Sequence, residues 1–177
     1  MTSSSINHEN TTESHHPKFQ EAFPPKSITL DQPSVFLAGS IEMGKAEQWQ
    51  QSVTKSLSDL PITVLNPRRL DWDPSLKQEI DCKPFKDQVD WELDYLEACD
   101  VIALYLQPGT RSPISLMELG LYAESRKIIV CCPKGFWRKG NVDIICSRYD
   151  LKLVTTMEEL IVETRATMEG VLSFMSI

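Results

Sequence analysis

Val101-Ile-Ala-Leu-Tyr-Leu106, Gln107-Pro-Gly-Thr-Arg111 and Ser112-Pro-Ile-Ser-Leu-Met-Glu-Leu-Gly-Leu-Tyr-Ala123 follow one another without interruption. The first segment is a continuous apolar run of strand length. Such a run, unlike an alternating one, is covered on both faces, as in a parallel sheet. The second carries a Pro-Gly turn. The third, residues 112–123, holds a single charge, Glu118, and opens a helix read over residues 115–126. Strand, short turn and helix make half of a βαβ unit. Ligands of open α/β sheets bind outside the carboxyl ends of the strands, and Glu118 follows that end.

The same alternation runs outward in both directions. Val35-Phe-Leu-Ala38 is a buried strand closed by Gly-Ser, and residues 45–60 carry Trp49, Val53 and Leu57 at helical spacing. Residues 62–65 form a second strand and 66–84 a long loop, a place where function often resides. Beyond it come a helix over 86–99 and the strand at 101–106. Further strands follow at 128–132 and 151–154, with helices at 138–147 and 156–171. The expected fold is α/β: a doubly wound sheet of about five mainly parallel strands with helices on both faces. Residues 31–177 make a single domain, and the polar residues 1–30 are expected to be a disordered tail.

The chain has 177 residues, 41% of them hydrophobic and 24% charged, with a net charge of −7. An acidic surface argues against a nucleic-acid backbone or an anionic membrane as partner, but not against a small nucleoside or nucleotide. No apolar run is long enough to span a bilayer. The first residues lack the basic and apolar regions of a signal peptide, so the expected compartment is the cytoplasm. Five cysteines without a Cys-x-x-Cys pair read as reduced thiols rather than metal ligands. The only histidines are His8, His15 and His16, all in the polar N-terminal stretch. Acid–base work therefore falls to carboxylates, Lys, Tyr or Cys.

Two readings fit Glu118. Ser115-x-x-Glu118 has the form of a capping box. A carboxylate in a first helical turn also feels the positive helix end and stays ionised, which suits a nucleophile. Tyr122, one turn later, either hydrogen-bonds that carboxylate or packs. On the preceding helix, Val89, Leu93 and Leu96 form an apolar stripe with Glu92 beside it. Asp90, Asp94 and Glu97 lie on the other flank, and Trp91 points nearly away. Partial burial raises a carboxylate's pKa, which suits Glu92 to general acid work; the alternative is a boundary ion pair. Gly39-Ser-Ile-Glu-Met-Gly44 is a turn able to present backbone N–H groups to a hydroxyl, carboxylate or phosphate. Asn141 either reaches a site, its own or a neighbour's, or caps a turn.

Three segments, Val35-Phe-Leu-Ala-Gly-Ser40, Trp91-Glu92 with Glu97-Ala-Cys-Asp-Val-Ile102, and Ser112 to Ala123, resemble the nucleoside 2-deoxyribosyltransferase superfamily. The likeness is greatest to its 2-deoxyribosyltransferase-like branch and covers residues 35–154. The resemblance implies a flavodoxin-like sheet, with Glu118 as the nucleophile at the anomeric carbon. It implies a second acid at Glu92, eight positions before Asp100, where better-known members carry Asp. Asn141 is the nearest match to a polar residue lent by a neighbouring subunit, hence an expected homo-oligomer, dimer or higher. Phe36 stands where a strand Tyr contacts the nucleophile. Ser112 replaces a base-binding Asp, which leaves the identity of the base open.

The expectation is an enzyme that transfers a 2-deoxyribosyl group between bases through a covalent intermediate on Glu118. Its partners are a small nucleoside or nucleotide and a free base. Gly39, Ser40, Trp91, Ser112, Tyr122 and Asn141 surround the substrate, and neither metal nor redox cofactor is required. The alternatives are a nucleoside 5′-monophosphate N-glycosidase and a non-catalytic nucleotide-sensing module.

Overall fold

The computed structural model describes residues 15–73 and 75–175. Six strands form one sheet: β1 (Gln20–Ala22), β2 (Ser34–Gly39), β3 (Thr63–Leu65), β4 (Val101–Tyr105), β5 (Ile128–Cys131) and β6 (Lys152–Val154). Their order is β1-β3-β2-β4-β5-β6, and every neighbouring pair is parallel. Without β1 this is the flavodoxin order, with the connections reversing direction between β2 and β4. The sheet thus has six strands where about five were expected.

The additional strand comes from the segment read as a tail. Gln20 N–H donates to the Ile62 carbonyl at 3.0 Å, and Asn66 N–H to the Ala22 carbonyl at 2.9 Å. Gln20 and Glu21 are exposed, so β1 carries no apolar run. It is a short charged edge strand, a form that protects a sheet from further pairing. The disorder expected for residues 1–30 therefore does not hold at β1; residues 1–14 lie outside the described part of the chain.

Among the described residues five α-helices cover the sheet: α1 (Trp49–Leu57), α2 (Lys83–Ala98), α3 (Pro113–Tyr122), α4 (Lys139–Tyr149) and α5 (Met157–Met175). Strand side chains alternate between faces, so each apolar run feeds two cores. Phe36, Ala38, Ile102, Leu104, Ile128 and Val130 meet Trp91, Leu96, Leu119 and Val142 on one side. Val35, Leu37, Val101, Ala103, Ile129 and Cys131 meet Trp49, Val53, Leu57, Leu160 and Met168 on the other. Helices α1 and α5 therefore pack on one face, and α2, α3 and α4 on the other.

Helix α1 starts four residues later than residue 45, where the periodicity placed it. The backbone before it is diverted: Glu42 and Met43 have φ of 48° and 52°. The carbonyls of Gly44, Ala46 and Glu47 accept from the Arg68 guanidinium at 3.0, 2.8 and 2.6 Å instead of entering a helical ladder. At Gly39 the φ is +140°, and a Cβ would stand 2.3 Å from the Tyr105 carbonyl oxygen. Only glycine lets β2 end this close to β4. All five thiols are free; Cys82 is half-buried and the other four are buried.

Candidate active site

The chain leaves β2 toward α1 on one face and β4 toward α3 on the other, so a crevice opens between the two exits. Three hydroxyls close its floor. Ser40 Oγ lies 2.9 Å from Thr110 Oγ1 and 2.6 Å from Ser112 Oγ, and the last two are 2.9 Å apart. Gln107 N–H donates to Ser40 Oγ, and Thr110 Oγ1 donates to the Gln107 carbonyl. The ring joins the β2 and β4 exits across the crevice. Ser40 is fully buried and Ser112 nearly so, so these hydroxyls are engaged with one another.

Ser112 adopts the left-handed conformation, φ 44°, and Pro113 begins α3. Glu42 Oε1 accepts from the N–H groups of Arg111 and Ser112 at 2.8 and 2.7 Å. A carboxylate beside the start of a helix is favoured by the exposed donors and the helix dipole. With the helix starting at Pro113, Glu118 falls in the second turn and Ser115 is not the cap. The capping-box reading is therefore overturned by where the helix begins.

Glu118 is 8% exposed. Burial first, and then the charge of Glu92, push its carboxyl up to about 8. The helix end does not hold it ionised as the sequence suggested, because a second-turn carboxyl lies beyond the reach of the end and inside the core. Glu92 of α2 is half-buried. Burial raises its pKa, and a hydrogen bond from Gln88 works in the opposite direction. The charge of Glu92 on α2 thus reaches the carboxyl of Glu118 on α3.

The other candidates are distributed unevenly. Trp91 does not point away: it is buried, with its ring 6.0 Å from Phe36 and 4.7 Å from Tyr95. Its Nε1 donates to the Lys26 carbonyl at 3.0 Å, and Tyr95 Oη donates to the Ile28 carbonyl at 2.8 Å. These anchors rotate α2, so that Gln88, Trp91, Tyr95 and Leu96 face inward and Leu93 outward. Glu92 stays on the edge of the buried stripe under either rotation. Tyr122 packs: its Oη is 3.4 Å from the Leu93 carbonyl, and Lys127 Nζ lies 5.5 Å from its ring centre. Asn141 is exposed in the first turn of α4.

Sequence reasoning missed two residues. Glu42 stood only as one residue of the Gly39–Gly44 turn; its partners lie about seventy positions away, beyond any local signal. Gln88 stands four positions before Glu92, a spacing that places two side chains on one helix face and was open to view. Among the described residues no group of three or more His, Cys, Asp and Glu side chains is arranged to hold a metal ion. Nor does any described helix have the length and apolarity to cross a membrane.

Residues 32–136, from just before β2 to just after β5, match the family described as nucleoside 2-deoxyribosyltransferase like. No curated protein matches the chain. Among solved structures, a conserved protein from Enterococcus faecalis V583 superimposes with a TM-score of 0.54 at 12% identity, covering 76% of this chain and 98% of that one. At that identity the likeness is one of fold. The family match spans more than half of the chain and includes β2, α2, β4 and α3 with both acids, and the chain belongs to the nucleoside 2-deoxyribosyltransferase-like family.

Proposed function

We propose that the chain is a retaining N-glycosidic-bond enzyme that moves a 2-deoxyribosyl group from one nucleobase to another. The observation that carries this reading is the buried Glu118 of α3, its carboxyl raised by burial and by the charge of the half-buried Glu92 of α2. Two carboxyl groups in one low-dielectric site are what a two-step displacement at an anomeric carbon uses. Glu118 Oε attacks C1′ as the C1′–N bond breaks, and Glu92 passes its proton to the leaving base. A second base then attacks C1′ through nitrogen. Glu118 leaves as a carboxylate, and the proton released by the incoming base returns to Glu92. Water in place of the second base makes the same enzyme a hydrolase.

The Gly39–Ser40 turn and Ser112 form the floor under the sugar, acting through backbone and ring geometry. Trp91 stiffens the wall behind Glu92, and Tyr122 flanks Glu118. A 5′-hydroxyl suits the site better than a 5′-phosphate. The Arg111 and Ser112 N–H groups, which a phosphate would seek, already hold the Glu42 carboxylate. The protein acts as a cytosolic homo-oligomer in which Asn141 completes a neighbour's site. What supports assembly is the outer face of α3, where Ile114, Met117 and Leu121 are exposed at helical spacing.

The test is chromatography of the protein with 2′-deoxyinosine, with and without free adenine, beside Glu118→Gln. Deoxyadenosine that depends on Glu118 is the expected product. Free base and free sugar without exchange would point to hydrolysis. Turnover by Glu118→Gln at the wild-type rate would remove Glu118 from the mechanism. No product from nucleosides or their 5′-monophosphates would leave a sensing role.

A further inference from the structure

Gln88 lies one turn before Glu92 on α2 and is 7% exposed. Its Nε2 donates to the Pro67 carbonyl at 3.0 Å and to Glu92 Oε1 at 2.6 Å. A carbonyl only accepts, so Pro67 fixes which end of the amide is nitrogen. The remaining N–H then meets Glu92. Gln88 Oε1 is buried and accepts no hydrogen bond from the described residues. An amide held with one end unsatisfied costs stability, and Leu or Met would fill the same space without that cost. Local losses of this kind collect where the other end of the group serves a site.

Pro67 is itself anchored. Asn66 Oδ1 accepts from the Arg68 N–H at 3.0 Å, and Asn66 Nδ2 donates to Glu21 Oε1 at 2.9 Å. The Arg68 guanidinium holds the three carbonyls before α1. The start of the 66–84 loop is therefore a fixed abutment between β1, the α1 entry and α2.

We propose that Gln88 is a positioning residue for the acid pair, resting Glu92 against this abutment and reserving its Oε1 as an acceptor. A proton on Glu92 is then carried by Oε2. The proposal rests on the reading of Glu92 as the acid. The titratable group of the neighbouring helix that feels the Glu92 charge is Glu118 of α3. On α2 itself the direct partner is the neutral Gln88.

The test begins with the wild-type protein without substrate, followed by NMR through a pH titration with Glu92→Gln as control. A Gln88 side-chain amide proton is expected to shift with the Glu92 carboxyl, and to lose that response in Glu92→Gln. In Gln88→Met, which keeps the shape and removes the donors, the Glu92 midpoint moves to higher pH, because the lost bond favours the charged form. Its kcat falls about tenfold or more with KM nearly unchanged, the result of a loosely held acid. A merely structural glutamine would not move the midpoint. A Gln88 amide indifferent to the Glu92 titration overturns the proposal even if Gln88→Met fails to fold. An unmoved midpoint in folded Gln88→Met does the same. Normal turnover by Glu92→Gln would instead overturn the acid role itself, whatever the resonances do.

Discussion

Replacing Glu118 by Gln is expected to make the protein more stable while stopping its chemistry. The buried carboxyl titrates near 8 instead of its ordinary 4.5. Between those values the folded chain keeps a proton that the unfolded chain releases, so stability falls as pH rises from about 4.5 to about 8. At about 1.4 kcal/mol per pH unit, the loss at pH 7 reaches up to about 3 kcal/mol. The amide has no charge to desolvate and escapes that loss. For a chain of this size, such a gain raises Tm by about 6–12 °C. Urea denaturation followed by tryptophan fluorescence, run on both proteins at mildly acid and mildly alkaline pH, reads the difference directly. The gap should be small at acid pH and widen with alkalinity, while glycosyl transfer disappears. A helix-cap role would give the opposite sign, a loss of about 1 kcal/mol. A variant less stable than wild type at every pH, or a gap that does not grow with pH, would refute the reasoning.

The kcat/KM of the wild type should be bell-shaped in pH, because attack needs Glu118 without its proton and Glu92 with one; a flat profile between mildly acid and mildly alkaline pH speaks against this pair of roles. Arg68→Met removes the guanidinium from three carbonyls and should cost about 3 kcal/mol in chemical denaturation; a loss below about 1 kcal/mol would mean those carbonyls find other partners. Gly39→Ala places a Cβ against the Tyr105 carbonyl at a φ of +140° and should cost about 3 kcal/mol or more, read from the urea midpoint. Leu121→Glu puts a charge on the exposed face of α3; sedimentation should show a lower mass than wild type, and an unchanged mass would clear that face of any part in assembly.

The centre of the sheet was legible because β2, β4 and β5 are covered on both faces, so each shows as an unbroken apolar run. Strand β1 was not, since its hold on the sheet is through backbone groups and its side chains are largely polar. Glu118 and Glu92 stood out as acids beside apolar stripes, and burial raises both carboxyls. The orientation of Trp91 was misread for a definite reason. A helical wheel weighs Val89, Leu93 and Leu96 by apolarity alone. The rotation of α2 is set instead by an indole N–H and a phenol O–H that find carbonyls at Lys26 and Ile28, far away in sequence. Glu42 acts over a similar separation and Arg68 over more than twenty positions, which no local pattern records.

The burial of the thiols has a practical consequence for chemistry done on the protein from outside. Cys99 and Cys131 are pushed up to about 12, and Cys132 and Cys146 to about 11, each chiefly by burial. Thiols so protonated and enclosed are poor nucleophiles and slow to oxidise. Cys82, half-buried at the residue that leads into α2, stands apart from them. A maleimide dye would therefore mark the native protein at a single place, where the long loop hands over to the helix that carries Glu92. The wild-type chain comes with its own attachment point for an optical reporter, and no cysteine need be removed to use it.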